Sequence, residues 1–383
     1  MKIIYLTPSI CNYGGMERVL KNKLNYFIEK YGYEIHILTT EDRDGQEPFY
    51  EFSKKIKVKN LNVNYRELKK ENLIKKVIGR IRKKRLHQEE IQKYIDREKP
   101  DICISTLMDD FPFFHRLKTD AKKVGEIHIT KNHTLINLKS INASKLRMLN
   151  AKLVNFMTEK RVRKLDKFIT LTNGDYLNWK HRENIEVIGN SISFFPENRS
   201  ELKNKKIISV GRYTHEKGYD LLVEVWKKIE QKNREWRCEI YGSGEDLDRL
   251  NLKIDEYGLK NIRFNPPTQE ILEKYLESSI YVMTSRNEGL PLVLIEAMSC
   301  GLPLVSFDCP CGPRDLIEDG ENGYLIPVND IELMSEKILD LIHDHEKICR
   351  FSENGRKKAS EYSEEKIMEK WKKLFTEINK RNT

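Results

Sequence analysis

The sequence predicts an α/β protein made of two parallel-sheet domains. At 383 residues the chain is long for one domain and sufficient for two ordinary ones. Short apolar runs alternate with amphipathic stretches throughout, which is typical of parallel strands joined by crossover helices. A stretch rich in Asn, Ser and charge separates two such series. We therefore expect a first domain over 1–187, a linker over 188–204, a second domain over 205–363 and a last helical segment, 364–383, that returns toward the first domain.

Each strand is predicted from an apolar run of about six residues, and each helix from apolar spacing of three and four. The predicted strands are 2–7, 34–39, 101–106, 123–128 and 167–172 in the first domain, then 205–211, 237–242, 261–265, 280–285, 302–307 and the last candidate "GYLIPV" in the second. The predicted helices cover about 17–30, 219–231, 245–257, 269–277, 291–300 and 364–381. A ligand shared by two such sheets is expected at their carboxyl ends, in the cleft between the domains.

Composition favours a globular cytoplasmic protein. Hydrophobic residues make up 39% and charged residues 33%, and no window of ~18 uncharged apolar residues predicts a membrane span. The N-terminal apolar run stops at Pro8, too soon for a signal peptide. Seven scattered cysteines suit a reducing compartment. The close pair Cys309 and Cys311 has no partner ligands at suitable spacing, so we interpret it as part of a loop.

The segment "SRNEGLPLVLIEAMSCGLPLV", residues 285–305, is interpreted as a loop followed by a helix that begins at Pro291. Gly289 would let the backbone approach a ligand, and the free amides from Leu290 to Val293, including that of Leu292, would form an anion site. Glu288 in the loop and Glu296 on the second helical turn can accept hydrogen bonds from sugar or ribose hydroxyls. Two glutamates that merely cap and solvate a helix are an equally simple reading of the spacing.

Two more segments follow strands in the same manner. In "SVGRYTHEKGYDLL", Arg212 and Lys217 lie just past a strand and can clamp a diphosphate. In "TPSICNYGGMERV", Gly14 and Gly15 lie between a strand and a helix, where their amides can reach a phosphate. A surface loop and a tight turn, respectively, are the alternative explanations. Taken together, the three segments fit a nucleotide-diphosphate sugar bound in the cleft.

These segments, with "GENGYLIPV", resemble the GT-B retaining glycosyltransferases of family 4, and the resemblance covers nearly the whole chain. It implies two Rossmann-like domains that face each other across a cleft, transfer from a nucleotide sugar with retention of configuration, and no required metal or cofactor. UDP is the nucleotide that the family most often uses. The acceptor implied is a hydroxyl of a cell-surface glycan or a lipid-linked glycan, of lipopolysaccharide, capsule or teichoic type.

The resemblance also implies residue roles. Arg212 and Lys217 would bind the donor diphosphate, Glu296 the ribose, Glu288 the transferred sugar and Gly15 the distal phosphate. His128, in "GEIHIT", matches a family histidine near the reacting sugar, although a histidine that ends a buried strand is the plain alternative. One departure is "FNPP" at 264–267, where family members commonly have Phe-x-Gly; recognition of the base is therefore left open. The acidic pairs Asp42/Asp44 and Asp246/Asp248 are interpreted as solvated surface.

The first half of the chain is basic. Residues 1–190 carry 39 Lys and Arg against 24 Asp and Glu, although the whole chain has a net charge of only +10. Ten of these cations lie between Arg66 and Arg85, interleaved with apolar residues at helical spacing. Such a helix can lie on an anionic membrane, at the inner face of the cell membrane, or pack its apolar side on its own domain. No aromatic platforms accompany the cations, so nucleic acid is not expected as a partner. A nucleotide-sugar epimerase, which can use the same fold and donor site, is the alternative to a glycosyltransferase.

Overall fold

The computed structural model describes residues 1–12, 14–43, 45–140 and 143–380. It contains two sheets, and every strand pairing in both is parallel. The first sheet has strands β1 (Lys2–Leu6), β2 (Glu34–Thr39), β3 (Lys57–Asn60), β4 (Ile102–Ser105), β5 (Lys122–Glu126), β6 (Lys167–Thr170) and β7 (Ile185–Val187). The second has β8 (Lys206–Val210), β9 (Arg237–Tyr241), β10 (Ile262–Asn265), β11 (Ile280–Met283), β12 (Leu304–Phe307) and β13 (Gly323–Ile326).

The two sheets share one strand order. It is β3-β2-β1-β4-β5-β6-β7 in the first and β10-β9-β8-β11-β12-β13 in the second. In each sheet, the second and third strands along the chain lie on one side of the first strand, and the fourth and later strands lie on its other side. The crossing point of such a sheet is where ligands bind, at the carboxyl edge.

Helices join the strands. In the first half they are α1 (Gly15–Tyr31), α2 (Leu73–Glu98), α3 (Phe111–Phe114), α4 (His133–Ser140), α5 (Lys145–Val162) and α6 (Asn173–Tyr176). In the second half they are α7 (Tyr219–Lys232), α8 (Leu247–Tyr257), α9 (Ile271–Leu276), α10 (Leu292–Ser299), α11 (Pro313–Leu316), α12 (Ile331–His343), α13 (His345–Ala359) and α14 (Glu364–Lys380). Turns of 3-10 helix occur at Tyr65–Lys70, His215–Lys217 and Ser360–Tyr362. No helix among the described residues is both long and apolar enough to cross a membrane.

The predicted strands and the last strand candidate all coincide with strands of the structure. Sequence reasoning missed β3 and β7, the two edges of the first sheet. An edge strand needs no continuous apolar run, because one of its sides faces solvent. The sequence of β3 is Lys-Val-Lys-Asn and its first two residues are exposed, while β7 has only three residues.

The first sheet has a core on each face, because alternate strand residues point to opposite sides. On one face, Ile3 and Tyr5 pack against α1 and against the last helix, α14. On the other, Ile4 and Leu6 pack against the C-terminal part of α2 and against α3. Thus α14, which follows the second sheet in the chain, covers a face of the first one. The second sheet has a single large core.

Candidate active site

A cleft of about 690 Å³ lies between the carboxyl ends of the two sheets. Nine of the eleven residues that the sequence predicted for the site line it. They are Gly15, His128, Arg212, Lys217, Glu288, Leu290, Leu292, Val293 and Glu296. These residues come from α1, from the segments after β5 and β8, from the loop after β11 and from α10, so the cleft joins segments far apart in sequence.

Gly14 and Gly289 do not line the cleft, and the structure gives other reasons for them. A Cβ on Gly14, the N-cap of α1, would collide with the Glu17 carboxylate. A Cβ on Gly289 would lie 2.8 Å from the carbonyl oxygen of His128 in the first domain. Gly289 therefore lets the backbones of the two domains meet, rather than letting a ligand approach.

The N-terminus of α10 opens onto the cleft. Pro291 is its N-cap, so the helix begins at Leu292, one residue later than the sequence suggested. The amide of Leu294 donates to the Pro291 carbonyl at 3.0 Å, whereas the amides of Leu292 and Val293 belong to the first turn, which lacks acceptors inside the helix. Gly15, at the start of α1, faces Leu292, since a Cβ there would lie 3.8 Å from the leucine Cδ1. Two positive helix ends therefore meet at the cleft.

Lys217 and Glu288 form an ion pair inside the cleft. The Lys217 Nζ lies 2.7 Å from the Glu288 Oε1, which also accepts a hydrogen bond from the Ser285 hydroxyl at 2.6 Å. Arg212 is exposed, and its side chain has no hydrogen-bond or ion-pair partner within the part of the chain that the structure describes. One cation is therefore held in place and the other is free to contact a ligand.

The two loops that carry these residues are fixed to each other. Arg286 makes two hydrogen bonds to the Asp220 carboxylate, at 2.8 and 2.7 Å, and a third to the carbonyl oxygen of His215. Gly218 has φ +67°, and a Cβ on it would clash with the carbonyl oxygen of Thr284. Sequence reasoning did not identify this anchor, because neither Arg286 nor Asp220 faces the cleft.

Glu296 is buried, with 3% of its surface exposed. Its Oε1 accepts a hydrogen bond from Arg18 at 2.5 Å, and its Oε2 accepts one from the Tyr275 hydroxyl at 3.2 Å. Arg18 belongs to α1, so this ion pair links the two domains across the cleft. Arg18 follows the predicted glycine pair in "GGMERV", and that proximity was the only sequence indication of its place.

His128 is supported by a buried ion pair. Its Nε2 lies 3.2 Å from the Glu126 Oε1, and both Glu126 oxygens accept hydrogen bonds from the Lys23 Nζ at 2.6 Å. Burial would raise the pKa of Glu126, but the nearby Lys23 and His128 outweigh it and lower the pKa to about 2. The His128 Nδ1 has no partner among the described residues. Glu126 therefore orients the ring and leaves the other nitrogen unpaired.

The far end of the cleft is formed by Gly242, Ser243, Pro267 and Thr268, after β9 and β10. The Pro-Pro departure noted above thus lies at the cleft, where it can shape a base-binding surface. Asn265 does not line the cleft; its carbonyl accepts a hydrogen bond from the Tyr213 hydroxyl.

The minor motifs have structural roles. Asp42 is buried and accepts hydrogen bonds from the Ser9 hydroxyl and the Ile10 amide, so its interpretation as solvated surface is wrong. Asp44 lies outside the described residues. Asp246 is the N-cap of α8, and Asp248 is exposed in the first turn. The Cys309–Cys311 segment is a loop with free thiols.

Two further groupings lie away from the cleft. A shallow depression of about 840 Å³ runs along α14 and is lined almost wholly by Lys and Glu. Glu34, His36 and Glu98 cluster at the first sheet, but Lys2 and Lys57 already pair with the two glutamates. Neither grouping involves a residue that the sequence singled out.

Two Rossmann-like parallel-sheet domains are the architecture of the GT-B class of glycosyltransferases. Residues 191–358 match the family model of glycosyl transferases group 1. The chain is 31% identical to an uncharacterized glycosyltransferase of Haemophilus influenzae, over 98% of this chain and 99% of that one. It is 27% identical to the amylovoran biosynthesis glycosyltransferase AmsD of Erwinia amylovora, again over 98% and 99%. A solved TarM variant of S. aureus, in complex with fondaparinux, alpha-GlcNAc-glycerol and UDP, has a TM-score of 0.74 at 21% identity, over 98% of this chain and 99% of that chain.

The chain belongs to the glycosyl transferases group 1 family. It is a GT-B glycosyltransferase, of EC 2.4 type, as the resemblance implied. Its relatives include glycosyltransferases of cell-surface glycans.

Proposed function

We propose that this protein is a retaining, family 4 enzyme that transfers a sugar from a UDP-sugar to a hydroxyl of a cell-surface glycan or lipid-linked acceptor. The observation that carries the proposal is the convergence, in one cleft, of Arg212, the Lys217–Glu288 pair, Glu296 and two helix N-termini. A nucleotide diphosphate needs cations and amides for its phosphates and a carboxylate for its ribose. The UDP bound to TarM in a similar fold supports the choice of nucleotide.

The chemical step follows from where charge develops. As the bond to the sugar breaks, the leaving diphosphate gains negative charge, which Arg212, Lys217 and the amides of α10 stabilise. In a retaining reaction the acceptor hydroxyl attacks from the face that the diphosphate leaves, and its proton passes to an oxygen of the departing diphosphate. Glu288 would then hold hydroxyls of the transferred sugar, and Glu296 those of the ribose. His128, which lines the cleft, would contact the sugar. The residues above account for these roles without a resident metal or cofactor.

The direct test is ligand binding and turnover with a panel of UDP-, GDP- and ADP-sugars. A ligand at 100 times its dissociation constant adds about 2.7 kcal/mol to stability, so the correct donor should raise the melting temperature by several degrees. Slow hydrolysis of that donor, with the product's anomeric configuration read by NMR before mutarotation, would show retention. Conversion of the donor to its epimer without release of UDP would favour the alternative enzyme, an epimerase. No shift with any nucleotide sugar would contradict the proposal.

A membrane surface is the proposed second partner, through the basic segment Arg66–Arg85. The structure divides this segment into a 3-10 turn, Tyr65–Lys70, and the first half of α2, so it is not one continuous helix. Leu68, on the turn, packs against Gly79 of α2, where a Cβ would lie 2.6 Å from a leucine methyl. The apolar side chains Ile74, Ile78 and Ile81 are more than 60% exposed, so this face is not packed on its own domain. Pelleting with anionic but not with neutral vesicles is expected, and salt-dependent retention on DNA instead would favour nucleic acid.

A further inference from the structure

A second helix shares the exposed apolar and basic character of α2. In α5, only Ala151 and Val162 are buried. Its exposed apolar residues recur at helical spacing, every three or four positions along one side; they are Leu146, Leu149, Leu153, Phe156 and Met157. Isolated exposed leucines are ordinary, whereas a continuous row on a helix marks an interaction surface.

The two helices lie on the same face of the first sheet. The C-terminal part of α2 and the C-terminal end of α5 both pack in the core on that face, through Ile91, Ile95 and Val162. Crossover helices run opposite to the strands they join, so the protruding N-terminal halves of α2 and α5 point toward the carboxyl edge of the sheet. With 26 residues, α2 is about 39 Å long at 1.5 Å per residue, far longer than its neighbouring strands. The two apolar rows therefore extend toward the side on which the donor cleft opens.

A basic pocket lies between the two helices. It has a volume of about 310 Å³ and is lined by Lys84 of α2, by His115 and Arg116 after α3, and by Lys160, Arg161 and Lys164 of α5 and its C-terminal end. No acidic residue lines it. Within the described part of the chain, none of these five cations forms an ion pair with a carboxylate. Cations are seldom gathered in this manner without a counter-charge, because their mutual repulsion costs stability.

The electrostatic effect is visible at the pocket's histidine. Burial, followed by the nearby Lys164, Arg116, Arg161 and Lys123, lowers the pKa of His115 to about 4. The pKa values of Lys84 and Arg161 are lowered too, by burial first and then by neighbouring cations. The His115 Nδ1 is buried and has no partner among the described residues. The pocket thus combines a positive potential with ammonium and guanidinium donors, the requirements for a phosphate group.

We propose that this basic pocket binds the phosphate group of an anionic membrane lipid, with the apolar rows of α2 and α5 seated in the bilayer surface beside it. Met157 lines the pocket and belongs to the α5 row, so apolar and cationic surfaces are continuous there. A soluble phosphate polymer would match the cations but not the apolar rows, which favours the lipid. The proposal rests on the proposed function and extends it, because a first domain held at a bilayer would bring the enzyme close to a lipid-linked acceptor.

The first experiment removes pocket cations. Arg116 and Lys164 are exposed, so the double variant Arg116→Gln/Lys164→Gln should fold normally. Its partition onto vesicles of phosphatidylglycerol and phosphatidylcholine, measured by co-sedimentation, should fall about 30-fold, which corresponds to ~1 kcal/mol per cation. The matched control is Lys370→Gln/Lys373→Gln on α14, where both lysines are exposed and on the opposite face of the sheet. Equal partition of the two variants would overturn the proposal.

The second experiment separates the lipid from other anions. Leu149→Ser/Leu153→Ser in α5 should lower vesicle binding at least ~10-fold, although no charge changes. Two results together would overturn the lipid as the ligand and favour a phosphate polymer. They are unchanged vesicle binding in this variant and displacement of the wild-type protein from vesicles by soluble polyphosphate. Vesicles that carry oleate instead of phosphatidylglycerol, at equal surface charge, should bind the wild-type protein more weakly, and equal binding would show diffuse charge attraction without a phosphate site.

The vesicle-binding result does not depend on whether the proposed donor site is correct. The pocket variant should keep the rise in melting temperature that UDP gives the wild-type protein, because Arg116 and Lys164 do not line the cleft. If UDP stabilises neither protein, the proposed donor fails while the vesicle result still stands. If UDP stabilises both and the vesicle affinities match the control, only the lipid site fails.

Discussion

At the scale of single residues, Lys217 combines two functions. Its ammonium group is held by Glu288 and lies where a diphosphate is proposed to bind. Loss of one such charge donor typically costs ~3 kcal/mol of transition-state stabilisation. We therefore expect Lys217→Ala to lower kcat about 100-fold, measured as UDP release in the presence of the donor found by the ligand panel.

Stability provides the control for this variant. Because Lys217 is partly exposed, its removal should lower the melting temperature only slightly. Lys203→Ala, at an exposed lysine whose partner Glu201 is also exposed, should change neither quantity. Wild-type turnover in Lys217→Ala would remove this residue from the mechanism.

Arg18 is predicted to act on donor affinity. Its ion pair with Glu296 joins α1 to α10 and holds the carboxylate that is proposed to bind ribose. Arg18→Ala leaves this buried carboxylate with only Tyr275, so we expect the donor KM to rise about tenfold, a cost of ~1.4 kcal/mol. Arg18→Lys keeps the charge but not the planar guanidinium group, so its donor KM should lie between those of the wild-type protein and Arg18→Ala. A tenfold loss in kcat at unchanged KM would contradict a role in donor binding.

Glu126 should make stability depend on pH in a defined window. Its pKa in the folded protein, about 2, lies below the ordinary value of ~4.3, so its stabilising effect is complete above pH ~4.3 and is lost as pH falls toward 2. In Glu126→Gln, Lys23 is left buried without its counter-charge, and the variant should be several kcal/mol less stable at pH 7. Urea unfolding should show this gap narrowing between pH 4.5 and 3. A gap that stays constant with pH would show that Glu126 is not ionised in the folded protein.

The sequence predicted the residues that face the ligand better than the residues that support them. Arg212, Lys217, Glu288 and Glu296 follow strand ends in recognisable segments, and the structure brings all four into the cleft. Arg18, Lys23, Glu126 and Arg286 were missed, because each acts through a partner 66 to 278 positions away. Such partners are adjacent only after the domains have folded and met.

At the scale of elements, α14 has the clearest energetic role. Trp371 is 2% exposed, and its ring lies 4.1 Å from the Lys23 Nζ and 5.5 Å from the Phe375 ring. Trp371→Ala should therefore cost 3–5 kcal/mol in urea unfolding, as is typical of large core truncations. Lys370→Ala, one residue away and exposed, should change stability by less than about 0.5 kcal/mol. A small loss in Trp371→Ala would mean that α14 is detached from the first domain in solution.

The boundaries of α2 show what local pattern can and cannot predict. The apolar spacing between Arg66 and Arg85 indicated one helix, yet the structure has a separate turn before Leu73 and continues the helix to Glu98. The turn ends at Lys70, and Asn72 begins the helix, because its side chain accepts a hydrogen bond from the Lys75 amide. A helix was expected between β5 and β6, but the bounds of α5 were not predicted, because its exposed apolar row has no core partner and few residues mark a buried side.

At the scale of the whole molecule, three groups of contacts among the described residues stand out between the domains. Arg18 pairs with Glu296, and Glu216 accepts hydrogen bonds from His133 and Asn137, which lower the pKa of Glu216 to about 2. The third is Asp315, whose carboxylate accepts hydrogen bonds from the amides that begin α6. We propose that the domain boundaries stated above separate two bodies whose closure these contacts stabilise.

Removal of the Asp315 carboxylate should loosen this closure. In Asp315→Ala, the amides of Asn173 and Gly174 lose their acceptor, and we expect a larger radius of gyration by small-angle X-ray scattering, reversed by UDP, with a several-fold higher donor KM. Asp344→Ala is the control, because that carboxylate caps α13 inside the second domain. The same radius of gyration in both variants would show that Asp315 does not hold the domains together.

The position of α14 also has a consequence for biogenesis. The first sheet is synthesised early, but the part of its apolar face that α1 does not cover stays exposed until the second domain has been translated, because α14, which completes the cover, follows the entire second sheet. The first domain is therefore synthesised first but completes its folding last. Nascent chains should bind chaperones during that interval. A chain that ends before Glu364 should have a folded second domain, whereas its first domain should aggregate.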